Sequence, residues 1–431
     1  MPPTRQPPGI RDELVSRFFR YVAIESQSNA ASPDLPSSPG QLELARLLAR
    51  EMRDLGVEEV IVDEHAIVTG VKRGNCPAAP PVGFIAHLDT VDVGLSPRIR
   101  PQIKRFEGPD LCLNPGQDIW LRVAEHPEIL PWKDEDIIVS DGTSVLGADN
   151  KAAIAVLMTL VARLEPSKRH GDIFVAFVPD EEIGLRGARA LDLDRFRCDF
   201  AYTIDCCALG EVVVENFNAA SADIVFTGVT AHPMSAKGVL VNPLLMALDF
   251  ISHFDRNETP ECTQGREGYY WFKDIVANEN EAHLKVMIRD FDKQEFERRK
   301  GRIGNIAEKI RSQYTSGSVH CQVADTYHNI ADHLRADPRP AQLLFRALEN
   351  LGIEKKLVPM RGGTDGAVLS ARGLPTPNFF TGACNFHSRF EFLPVPAFEQ
   401  SYKTALMLCN LAAEEGSGHS VSKALIGEVH D

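Results

Sequence analysis

The run Pro81-Val82-Gly83-Phe84-Ile85-Ala86 is apolar, and His87-Leu88-Asp89-Thr90 follows it at once. A short continuous apolar run reads as a strand buried on both faces, the kind found in parallel sheets. The switch to His and Asp marks the strand's carboxyl end, and ligands of open α/β sheets gather outside such ends. Other segments repeat the arrangement. Residues 172–178 form a second buried strand that runs into Pro179-Asp180-Glu181-Glu182-Ile183-Gly184. Residues 200–204 form a third, which closes at Asp205, and Gly147-Ala148-Asp149-Asn150-Lys151 opens a helix over 152–164. A second histidine, His387, comes much later in the chain.

Outward from these segments, strands and helices alternate. Helical spacing of apolar residues covers 11–22 and 41–55, and 188–193 belongs to a short helix. Residues 60–62 and 67–71 read as strands, and 31–40, rich in Ser and Pro, as a loop. Residues 93–135 hold many Pro and Gly and are expected to form a long irregular excursion over the surface. Such alternation predicts an α/β fold, with a mixed or parallel sheet between helices. The character changes near residue 215. Strands at 220–228, 269–276, 283–289 and 319–325, with helices at 243–254 and 293–313, predict a smaller α+β domain inserted into the first. After about residue 330 the alternation resumes, with a helix at 338–351, a Gly-rich turn and a last helix at 395–413. The expected domains are therefore 1–214 and 331–431, as two parts of one unit, and 215–330.

Bulk properties agree and exclude several classes. At 431 residues the chain is too long for one ordinary core. A net charge of −14 argues against nucleic acid, which needs clustered Lys and Arg. No run approaches the roughly 20 apolar residues that span a membrane. The start, Met1-Pro2-Pro3-Thr4-Arg5, leads to no apolar stretch, so no signal peptide is expected. The nine cysteines are scattered and odd in number, which suits reduced thiols in a cytoplasm better than a disulfide framework.

Each polar segment has a plain explanation of its own. His87 and Asp89 fit a polar turn, Asp149 fits a helix cap, and Glu181-Glu182 fits a solvated acidic loop. Their coincidence at strand ends favours chemistry. In extended chain, His87 and Asp89 point to one side, so Asp89 can receive the second ring N–H of a metal-bound His87. Adjacent carboxylates repel, which Glu181 and Glu182 resolve if one ligates a cation and the other stays free as a base. A His, Asp and Glu set without thiolate suits zinc or a neighbouring divalent ion. Five ligands, His87, Asp149, Glu182 or Glu181, Asp205 and His387, are too many for one open site and suit two ions sharing an aspartate. That chemistry points to amide hydrolysis. Arg361-Gly362-Gly363-Thr364-Asp365-Gly366 lacks the Gly-Lys-Ser/Thr ending of a phosphate loop, which excludes nucleotide binding there. His232-Pro233 and Arg289-Asp290, read alone, are surface polar residues.

Taken together, these segments resemble the peptidase T branch of the two-zinc peptidase and deacylase superfamily, over nearly the whole chain. The likeness extends to Arg17–Val22 with Ser26-Gln27-Ser28, Phe217-Asn218-Ala219-Ala220-Ser221, Ala236-Lys237-Gly238, Ile288-Arg289-Asp290-Phe291 and Phe390-Glu391-Phe392. It implies a mixed-sheet zinc-peptidase catalytic domain with an inserted lid and dimerisation domain. The implied activity is removal of the N-terminal residue of short peptides, tripeptides above all, by a cytoplasmic enzyme that pairs through the inserted domain. A dipeptidase, a carboxypeptidase or an N-acyl amino acid deacylase of the same superfamily is the alternative. By motif, His87, Asp149 and Asp205 would hold one zinc, and Asp149, Glu182 and His387 the other, with cobalt or manganese as substitutes. Glu181 would be the general base and Asp89 the residue that orients His87. His232 would stabilise the oxyanion, and Arg289, helped by Arg361, would meet the substrate carboxylate. The chain departs from the pattern at Cys206-Cys207, which replace a glycine pair. It departs also at Asn150, where a second Asp is common, and at Ser388-Arg389.

Overall fold

A computed structural model describes residues 9–165 and 167–415. The start of the chain, read above as lacking a signal peptide, lies outside the described residues. The chain divides into two compact units. The larger comprises Met1–Val214, His333–Val358 and Thr364–Asp431, and the smaller comprises Glu215–Asp332 and Pro359–Gly363. The return through 331–431 is thus interrupted. Met360 forms a parallel bridge with Asn216, and its carbonyl accepts the Phe217 N–H, which draws Pro359–Gly363 to the smaller unit.

The larger unit is built on an eight-stranded mixed sheet. Val82–His87 lies between Ile173–Val178 and Phe200–Cys206, parallel to both, and Asn378–Phe380 adds in parallel beyond Phe200–Cys206. All six residues of Val82–His87 and of Ile173–Val178 are buried, as unbroken apolar runs require. Antiparallel Val68–Lys72 and Glu58–Val62 extend one edge, and Glu211–Val213 and Lys356–Leu357 the other. The parallel register sets His87 beside Val178, immediately before the Asp180 loop. Helix Ala148–Arg163 packs against Val82–His87 and Phe200–Cys206, while Pro39–Asp54 covers the Glu58–Val62 edge. The fold is the expected mixed α/β architecture.

One close approach fixes the second helix. A Cβ on Gly40 would lie 1.7 Å from the Glu25 carbonyl oxygen, and Ser26 beside it bonds the Leu88 carbonyl. Gly40→Ala is therefore expected to cost about 2–3 kcal/mol, the order of an overpacked core position. A thermal midpoint within a degree of the parent protein would contradict this.

Residues 93–135 depart from expectation. They are not irregular: Gln102–Phe106, Leu111–Asn114 and Ile119–Leu121 are strands, and Pro127–Trp132 is a 3₁₀ helix. Gln102–Phe106 joins Glu135–Val139 and Phe392–Pro394 in a three-stranded sheet. Phe106, Leu113, Leu121, Ile129, Ile137 and Val139 form a core of their own with Cys384 and Phe392. Strands of three to five residues are too short to display a period of two, which is why the sequence reads as coil.

The smaller unit is an antiparallel sheet in the order Tyr269–Ala277, Glu281–Asp290, Asn218–Thr227, Ser318–Tyr327. Alternate residues Ala220, Ala222, Ile224 and Phe226 are buried, under helices Pro243–Ser252 and Lys293–Gln313. No described helix of the chain is long and apolar enough to cross a membrane.

Candidate metal centre

The carboxyl ends of the central strands converge. His87 ends its strand buried, with Nε2 2.9 Å from Asp149 Oδ1 and 3.7 Å from Asp205 Oδ1. Its other nitrogen, Nδ1, lies 3.1 Å from the Asp89 carbonyl oxygen and 3.3 Å from the Asp89 carboxylate. Asp89 therefore fixes the ring through backbone and side chain together. The other oxygen of Asp149, Oδ2, faces His387 Nε2 at 3.0 Å. His387 Nε2 is also 3.0 Å from Glu182 Oε1, though without hydrogen-bond geometry, so among the described residues that buried oxygen has no donor. Asp149 thus presents one oxygen to each of two histidines, with Asp205 on one side and Glu182 on the other.

The electrostatics describe a site short of positive charge. Burial opposes protonation of His87, yet Asp149, Asp205 and Asp89 hold its pKa well above the usual value. Burial likewise works against His387, but Asp149 and Glu182 carry it up to about 11. Burial and then the Asp149 charge push Glu182 up to about 7 and Asp205 up to about 6. Glu181 is driven well above the carboxylate range, first by burial and next by Asp205. Asp365, expected only as part of a tight turn, is also here. It is buried, its Oδ1 has no hydrogen-bond partner among the described residues, and burial lifts it to about 8. Carboxylates packed this closely repel unless a cation lies among them. His87, Asp149 and Glu182 each offer a ligand atom, all within 4.8 Å of one another. The bare Glu182 oxygen and the nitrogen-and-oxygen donor set both fit divalent ions of the zinc type.

A supporting layer holds these groups. The Asp89 carboxylate accepts the N–H groups of Glu181 (3.0 Å) and Glu182 (3.2 Å), so one residue steadies a histidine and both glutamates. Among the described residues none hydrogen-bonds the Glu181 carboxylate. Asp180, fully buried at φ +54°, receives the Ser37 N–H and hydroxyl and the Gln41 amide, and anchors the loop on its other side. Asn150 accepts the His87 N–H and donates to the Ile204 carbonyl and to Asp205 Oδ1. An aspartate at 150 could make at most one of those donations, and only when protonated. Asn378 accepts the Asp205 N–H at 2.7 Å. Glu391 accepts the N–H groups of Leu146, Gly147 and Asp149, and burial followed by the Asp149 charge raises it to about 8.

Sequence reasoning assigned no role to Asp180, Asn378, Glu391 or Asp365. A signal existed for Asn378, a lone amide in the apolar strand Asn378–Phe380, and for Glu391, a carboxylate between two phenylalanines. Cys206 and Cys207 border the site. Burial pushes both thiols upward, and their carbonyls receive the Thr381 and Gly382 N–H groups.

The smaller unit carries the remaining candidates. His232 is exposed and caps a 3₁₀ turn, its Nδ1 accepting the Met234 N–H. Arg289 is buried over the Tyr327 ring and donates to the Ala220 and Ile288 carbonyls. Arg361 stacks on Phe217 and Tyr269 and donates to the Gly265 and Glu267 carbonyls and to Thr263 Oγ1. Both arginines therefore flank one aromatic cluster, Phe217, Tyr269 and Phe291 with Tyr327. No contact among the described residues ties His232 to it.

Residues 133–426 match the family described as peptidase family M20/M25/M40. The chain belongs to this family. Curated relatives follow its length closely. A peptidase T-like protein of Rhizobium meliloti (strain 1021) is 71% identical over 94% of this chain and all of its own. Peptidase T of Desulfitobacterium hafniense (strain Y51) is 41% identical over 94% of this chain and 99% of its own. Among solved M20-like folds, aminopeptidase PepT from Bacillus cereus superposes with a TM-score of 0.73 at 22% identity, covering 94% of this chain and 100% of that one. A dinuclear metal-binding peptidase from the M20 family, from Bacillus subtilis, superposes with a TM-score of 0.60 at 15% identity, covering 94% and 99%.

Proposed function

We propose that this M20 chain is a two-metal aminopeptidase that releases the N-terminal residue of short peptides, tripeptides foremost. The observation that carries the reading is Asp149, turned with one oxygen to His87 and the other to His387 beside an uncommitted Glu181. The peptidase T relatives, alike over almost the whole chain, supply the substrate class. His87, Asp149 and Asp205 would hold one ion and Asp149, Glu182 and His387 the other. The donor types favour zinc, with cobalt or manganese able to replace it. Such ions acidify a water and polarise a carbonyl.

The protein's own groups do the rest. Glu181 takes a proton from the attacking water and passes it to the departing amine. Asp89 keeps Glu181 in register with His87. His232 is assigned to the developing oxyanion, which a fixed donor stabilises most in the transition state. Arg289 is assigned to the free carboxylate of the peptide, with Arg361 as its neighbour on the aromatic cluster. Pairing through the smaller unit belongs to the same reading. It is supported by the edge strand Tyr269–Ala277 with exposed Ile275 and Val276, and by exposed Leu244, Leu245 and Leu248 on Pro243–Ser252. A cytoplasmic setting is supported by nine free thiols.

The test is a panel of free tripeptides, dipeptides, tetrapeptides, N-acetylated and C-amidated tripeptides, and N-acyl amino acids, each with metal-loaded enzyme. Free tripeptides are expected to give the highest kcat/KM, with the N-terminal residue as first product. Blocking either end should cost at least about 100-fold, because a site built to pair a charged terminus is left with an unmatched buried group. Preference for N-acyl amino acids would replace this reading with a deacylase.

A further inference from the structure

The loop that carries His387 also carries Glu391, and the two face the same aspartate. Cys384 and Phe392 close the loop's base by exchanging both backbone hydrogen bonds, at 2.8 and 3.1 Å. Asn385 and His387 both adopt left-handed φ, +60° and +61°, and the Glu391 N–H returns to the Ser388 carbonyl. From this closed turn the Glu391 side chain enters the protein, fully buried. Its Oε2 accepts Leu146 N–H at 2.7 Å and Gly147 N–H at 2.9 Å, and its Oε1 accepts Asp149 N–H at 3.1 Å. Gly147, at φ +73°, lets successive amides converge into an anion-binding concavity. Here the Glu391 carboxyl group fills it.

We propose that Glu391 is a positioning residue for the metal centre. By gripping the amide of Asp149, it sets that carboxylate between the two histidines. The loop 385–391 therefore supplies both a ligand, His387, and the anchor of the ligand that two ions share. The proposal rests on the two-metal reading above. It predicts that both ions weaken together when Glu391 is changed, although Glu391 touches neither.

Glu391→Gln is the sharpest probe. Glutamine keeps an oxygen for the paired Leu146 and Gly147 amides and turns its NH₂ against the Asp149 N–H. Zinc and cobalt titrations of metal-free protein should show affinity falling about 10- to 100-fold at both sites, the scale of lost supporting contacts to metal ligands. The visible spectrum of the cobalt-loaded variant should change as well. Phe226→Leu, in the core of the smaller unit, serves as a control of lowered stability with unchanged affinity and spectrum. If Glu391→Gln behaves as that control does, the proposal is overturned. Should Glu391→Gln not fold, Glu391→Asp retains the carboxyl group one methylene short, and parent-like affinity in it overturns the proposal equally. Wild-type protein that takes up fewer than two ions would instead remove the two-metal reading, and this proposal with it.

Discussion

Glu181→Ala is expected to retain both metals and lose about 10²- to 10⁴-fold in kcat on a free tripeptide, the range for loss of a positioned general base. The argument is geometric before it is electrostatic. Glu181 and Glu182 are adjacent, and Asp89 holds the backbone N–H of each, so neither can drift without the other. Glu182 lies against His387, whereas among the described residues no hydrogen bond claims the Glu181 carboxylate. The burial that raises its pKa also makes it a stronger base once ionised. Because Glu181 is outside the proposed ligand set, metal content should be unchanged, and KM should move far less than kcat. Metal analysis and steady-state kinetics on the same preparation check both halves. A variant that loses metal along with activity would move Glu181 into the ligand set, and one that keeps activity would end its assignment as base.

Asp149→Ala should be more severe. It removes the oxygen opposite His87 and the oxygen opposite His387 in one substitution. Both ions are expected to be lost at micromolar metal, with peptide hydrolysis undetectable. A clean readout is the rise in thermal midpoint on adding zinc. Ligand binding to the folded state stabilises by RT ln(1 + [L]/Kd), about 2.7 kcal/mol at a hundredfold excess over Kd. Wild type should show that rise, and Asp149→Ala should show almost none. Asp205→Ala and His387→Ala each affect one proposed ion and should give intermediate shifts. Equal shifts in all three single variants would argue against a shared aspartate.

The parts of this molecule legible in sequence are those where burial and chemistry meet abruptly. Val82–His87 and Ile173–Val178 declare themselves because apolar runs stop at polar strand ends, and parallel pairing then forces those ends together. The same logic singled out His87, Glu181, Glu182 and Asp205 at strand ends, and the structure brings them together with Asp149, which opens a helix. His387 follows no apolar strand, so it entered the set by residue type alone, and only the family resemblance paired it with Asp149 and Glu182. The short strands Gln102–Phe106, Leu111–Asn114 and Ile119–Leu121 were illegible because so few residues carry no periodic pattern. The supporting contacts of Asp180, Asn378 and Glu391 were illegible for another reason. Each joins segments far apart in the chain: Glu391 reaches Leu146, 245 residues away, and Asp180 reaches Ser37, 143 away. No local window contains both partners.

That separation in the chain bears on synthesis. The smaller unit, apart from Pro359–Gly363, is continuous from Glu215 to Asp332, so a ribosome can finish most of it before the larger unit is complete. By then His87, Asp149, Glu182 and Asp205 have emerged, but His387 and Glu391 have not. At roughly 5–20 residues per second, the acidic cluster waits for several seconds without its second histidine or the clasp on its central aspartate. On the two-metal reading, the ligand set would be complete only once the returning segment has been made, when one seven-residue loop closes the centre.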